Sequence, residues 1–105
     1  MNLYGKKTIN LFDAILAIKN RDEAKRFLRD LLTEAEILEL ANRWQAAQML
    51  NKKISYTKIT KETGLSSTTV ARISKWLNGE LGGYRLMLKR LGLHHGNPSR
   101  GKGLR

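Results

Sequence analysis

The chain has no cysteine, one proline (Pro98), and only 9 acidic residues against 20 lysines and arginines. Without cysteine there is no disulfide scaffold, no thiolate zinc site and no cysteine nucleophile. No apolar run approaches the roughly 20 residues that span a bilayer. Met1–Lys7 lacks the apolar core of a signal peptide, so a cytoplasmic protein with no membrane partner is expected. No phosphate-cradling glycine loop and no nucleophile motif occurs, and the acidic residues are scattered singly. The chain is not expected to be an enzyme or to need a cofactor.

What is present is positive charge on a chain with enough apolar residues to fold. The formal net charge is +11, and 41% of the residues are hydrophobic, too many for a disordered polycation. A chain of 105 residues is one domain or one subunit of a small oligomer. At this length it buries only about 60–65% of its unfolded surface, so a second subunit would help. Charge of this sign favours a polyanion, most commonly nucleic acid.

Apolar residues recur at helical spacing and strand alternation never persists, which predicts an all-α fold of about six helices. Leu11, Phe12, Ile15, Leu16 and Ile18 mark a first helix near residues 9–20, broken at Asn20–Asp22. Ala24, Phe27, Leu28 and Leu31 mark a second. Thr33 and Glu36 have capping-box spacing ahead of a long third helix carrying Ile37, Leu40, Ala41, Trp44, Ala47 and Leu50. A loop over Asn51–Ser55 precedes a short helix over Tyr56–Thr63, which Gly64 ends. Ser66 is placed to cap a helix from Ser67 to about Leu77, and Tyr84, Met87, Leu88 and Leu91 mark the last one. Residues 1–92 then form the domain, and 93–105, rich in Gly and basic residues, a flexible basic tail.

With Gly64 as the turn glycine, a helix-turn-helix pattern falls into place. Ile59 stands five before it, Leu65 one after, Val70 six after and Ile73 nine after, where apolar side chains pin two helices across a short turn. Thr60 fills the position of closest helix approach, usually held by a smaller residue such as alanine. The outward side of the second helix offers Ser66, Ser67, Thr68, Thr69, Arg72 and Lys75. Short hydroxyl side chains at a helix N-terminus allow close approach to phosphates or base edges, and Arg72 suits either phosphate or guanine. Lys52, Lys53, Lys58 and Lys61 suit phosphates. Between Asn51 and Asn78 six cations face only Glu62, a net charge of +5.

The stretches LLTEAEILELANRWQAAQML (31–50), TKITKETGLSSTTVARISKWLN (57–78) and GGYRLMLKRL (82–91) together resemble the Trp repressor family, notably its Trp-repressor-like YerC/YecD type. The resemblance spans Leu31–Leu91 and implies an intertwined, all-helical homodimer that reads a palindromic operator in double-stranded DNA. It places Thr33, Arg43 and Arg72 where the repressor's tryptophan pocket has a Thr and two Arg. Ile73 stands where that pocket has a glycine, and Trp76 where it has a serine. Both departures argue against tryptophan as an effector, leaving any small-molecule effector unknown.

Trp44 and Trp76 sit at core or dimer-interface spacing rather than on a ligand platform. Adjacent His94 and His95 do not share a helix face and have no nearby carboxylate, so no metal site is expected. The expected function is a sequence-specific, homodimeric transcriptional regulator, in the simplest case a repressor. The competing reading is a structural RNA-binding or ribosome-associated basic protein. RNA readers favour exposed aromatic platforms, whereas the outward helix here is Ser, Thr, Arg and Lys.

Overall fold

The computed structural model describes residues 4–92, which form six helices and, among the described residues, no strand. The helices are α1 (Lys6–Leu16), α2 (Arg21–Leu31), α3 (Glu34–Asn51), α4 (Tyr56–Thr63), α5 (Ser67–Leu77) and α6 (Gly83–Arg90). The chain divides into two compact units, one ending at Ile37 and the other beginning at Leu38. The 93–105 tail and the His94–His95 pair lie outside the described residues.

In the first unit, α1 begins and ends several residues earlier than the apolar spacing suggests. The Ala17 N–H already bonds to the carbonyls of Asp13 and Ala14, and Ile18 falls beyond the helix. Asn20 then starts α2, its Oδ1 accepting from the Glu23 N–H at 2.9 Å, while the Glu23 carboxylate accepts from the Lys19 N–H at 2.9 Å. The expected capping box opens α3. The Thr33 hydroxyl accepts from the Glu36 N–H at 3.1 Å, and Glu36 Oε1 accepts from the Thr33 N–H at 2.8 Å. Neither α1 nor α2 holds a buried side chain. An amphipathic pair with no core of its own has apolar surface left to cover.

The second unit has the core. Ala46, Ala47 and Met49 of α3 meet Ile59 of α4, Leu65 of the turn, and Val70 and Ile73 of α5. Trp44, Leu50, Ile54 and Tyr84 pack against this cluster as half-buried walls. Ala46 and Ala47 are fully buried in it. Helix α4 packs on α5, and α5 on α6. The Arg85 guanidinium ties the last two together, donating to the Leu77 carbonyl at the end of α5 at 2.9 Å.

Candidate nucleic-acid interface

The helix-turn-helix is built as its spacing predicts, over the predicted residues of α4 and α5. Ser55 caps α4, its hydroxyl accepting from the Lys58 N–H at 3.2 Å. Gly64 ends that helix at φ 76°, and its N–H bonds to the Thr60 carbonyl at 2.9 Å. Any residue with a Cβ would be strained in this conformation. Ser66 caps α5, accepting from the Thr69 N–H at 3.1 Å and donating to Thr69 Oγ1 at 3.0 Å. Thr60 is half-buried, and its hydroxyl turns back to the Thr57 carbonyl at 3.0 Å.

Thr63 has a role the residue pattern does not announce. It is 6% exposed, its hydroxyl donates to the Ile59 carbonyl at 2.7 Å, and the same oxygen accepts from the Leu65 N–H at 3.2 Å. One side chain thereby bonds the last turn of α4 and the first residue after Gly64. It holds the turn against the core where Leu65, also buried, leaves its N–H no access to water.

Along α5, Val70 and Ile73 turn into the core, while Ser67, Thr68, Ala71, Arg72 and Lys75 are exposed. Among the described residues no carboxylate pairs with Arg72, Lys75, Lys61, Lys52 or Lys53. Lys58 differs, standing 3.8 Å from Glu62 one turn along α4, a loose and exposed pair that contributes little. The cations expected to suit phosphate therefore have no carboxylate partner or only a loose one. The Ser66 hydroxyl is instead committed to capping, and Thr69 is half-buried beside it. Ser67 and Thr68 are the exposed hydroxyls of the first turn.

Lys53 stands out for its backbone. The Lys53 N–H bonds to the Leu50 carbonyl and the Ile54 N–H to the Met49 carbonyl, closing α3 in a Schellman turn whose left-handed residue is Lys53 at φ 62°. Glycine is the residue that takes this conformation without strain, and a lysine there costs about 1 kcal/mol. Lys53→Gly should raise the unfolding free energy by about 1 kcal/mol in a denaturant titration. Unchanged or lower stability would show that the side chain makes a contact worth more than the strain.

The residues implied for an effector pocket have other engagements. Thr33, in the first unit, is the α3 cap. In the second unit, the Arg43 Nε donates to Glu39 Oε2 at 3.0 Å. Arg72 is exposed, and Ile73 is a core residue with 0% exposure. Trp76 is 46% exposed and, with Trp44, Tyr84, Met87 and residues 79–83, lines an open apolar groove of about 700 Å³. The Trp44 and Tyr84 rings stack at 6.3 Å and 15°. Burial raises the Tyr84 phenol above its ordinary pKa, against the opposing pull of the Arg43 charge. Among the described residues no helix is long and apolar enough to cross a membrane, and no three potential ligand side chains gather as a metal site.

Residues 6–92 match the family model described as Trp repressor protein. The chain is 40% identical over 89 residues to the uncharacterized protein YerC of Bacillus subtilis strain 168, spanning 85% of this chain and 86% of that protein. A crystal structure of a TrpR-like protein from Eubacterium eligens superposes with a TM-score of 0.81 at 38% identity, covering 89% of this chain and 96% of that one. A candidate Trp repressor from Staphylococcus aureus gives 0.82 at 35% identity, covering 90% and 94%.

Proposed function

The chain belongs to the Trp repressor family, and from that membership and the site's geometry we propose that it is a homodimeric, sequence-specific regulator of transcription that binds double-stranded DNA through α4 and α5. The observation that carries this reading is α5 itself. One side of the helix is locked into the core through Val70 and Ile73, and the other presents Ser67, Thr68, Arg72 and Lys75, whose cations pair with no carboxylate among the described residues. A rigid helix with a short-hydroxyl N-terminus and free cations suits the major groove. Lys52, Lys53, Lys58 and Lys61 then flank it as phosphate contacts. In a two-fold dimer the two α5 helices meet half-sites about one helical turn apart. Binding over a promoter would block it, the simplest route to repression.

Selection of binders from a random duplex pool tests the reading. A two-fold sequence should be enriched, and log affinity for it should fall with log salt at about −0.9 per phosphate contacted. Lys58→Ala and Lys61→Ala should each weaken binding evenly across sequences, with a slope shallower by about 1. Arg72→Ala should weaken the selected operator about tenfold or more and relax preference at one position per half-site. An even loss across sequences would leave Arg72 a phosphate contact. No enrichment, together with tighter binding to structured RNA, would sink the proposal in favour of an RNA-binding role.

A further inference from the structure

We propose that Ala71 reads sequence, its methyl group seating the 5-methyl group of one thymine in each half-site. The inference rests on the DNA-binding reading above and assigns a base to a residue that the charge pattern passes over.

At 100° per residue, the direction opposite Val70, Ile73 and Leu77 falls on Thr68 and Lys75, with Ala71 and Arg72 to either side. All four are exposed. They form a continuous outward stripe at i, i+3, i+4 and i+7. Three of the four have a hydroxyl or a cation. Ala71 has neither donor nor acceptor, and it lies beside Thr68 one turn along.

A bare methyl at the groove-facing side of a helix can distinguish bases in one way. Of the four bases only thymine offers an apolar group in the major groove, its C5-methyl, and alanine is a natural partner for it. The small side chain also allows the helix to approach closely; any longer residue at 71 would hold α5 off the base edges. Arg72 is the next residue, about 1.5 Å further along the axis. The thymine therefore belongs within one or two base pairs of the base that Arg72 contacts.

The test uses the full-length protein and the operator selected for it, with each thymine replaced in turn by deoxyuridine, which lacks only the methyl. At one thymine per half-site the replacement should weaken wild-type binding about three- to tenfold, the scale of one lost methyl contact. Ala71→Gly should bind the thymine operator more weakly by a similar factor and should no longer distinguish thymine from deoxyuridine at that position. Ala71→Ser, which keeps more helix propensity, should lose the same discrimination while melting as the wild type does. Equal wild-type affinity for every deoxyuridine operator would overturn the assignment while leaving DNA binding intact. So would discrimination that survives in both variants. Failure to select any operator would instead remove the DNA-binding reading beneath it.

Discussion

Sedimentation at micromolar concentration should give twice the 12.0 kDa chain mass, and Phe12→Glu combined with Ile15→Glu should return it to a single chain. The expectation starts from surface that a lone chain leaves open. Ile9, Phe12, Ile15 and Leu16 form an exposed stripe on α1, and neither α1 nor α2 buries a side chain. Leu38 and Leu40 of α3 and Met87 and Leu91 at the end of the chain's described part are exposed as well. A soluble monomer rarely leaves so many large apolar side chains exposed in each of its units. Each such side chain contributes about 1.5–3 kcal/mol when a partner covers it. Two buried glutamates would lose that and add desolvation of unpaired charge. The consequence should reach the DNA. A monomer engages one half-site, and losing the linked second one should weaken operator binding by at least about a hundredfold. A wild-type chain that stays monomeric at this concentration and binds DNA one to one would refute the dimer.

What was legible from residues alone, and what was not, divides along the range of the interactions involved. The bounds of α4 and α5, the Gly64 turn and the Thr33–Glu36 box depend on side chains bonding within three or four residues, and all stand where local spacing puts them. The start and end of α1 do not, because apolar spacing marks a face and says little about where capping stops the helix. Thr63 looked like any threonine near a helix end; its importance comes from burial by the packed turn. Lys53 was legible as charge but not as a left-handed residue, since glycine is the usual sign of that conformation. Ala71 is silent in the sequence for a related reason. Alanine is the default helix former, and only its exposure on the outward side of α5 makes it a candidate contact. In the sequence Glu39 is one more acidic residue of α3, yet its bond to Arg43 decides how free that arginine is.

That bond bears on the last expectation, that the chain binds its operator without tryptophan. The family resemblance implies a pocket in which the indole ring lies against a glycine between two arginines. Here the glycine position is Ile73, whose side chain is packed among Ile59, Leu65 and Val70 with no surface open to a ligand. A ring could rest at that position only by moving a core residue, and overfilling a packed site typically costs 1–3 kcal/mol, a factor of about five to more than a hundred in affinity. The polar end of the amino acid meets a second obstacle. Arg43 already has Glu39 at 3.0 Å, an i,i+4 pair that takes about 0.3–0.5 kcal/mol from the charge-assisted bonds a ligand carboxylate would make there. The bulky, half-exposed Trp76 also replaces a small hydroxyl residue. Calorimetric titration with L-tryptophan should therefore show no saturable heat at micromolar ligand, and operator affinity should be equal with and without it. Ile73→Gly is not a rescue, because it would open a cavity in the core and should cost about 2–5 kcal/mol of stability. Saturable micromolar binding by the wild type, with a matching gain in DNA affinity, would show that Ile73 moves aside and that Arg43 exchanges Glu39 for the ligand.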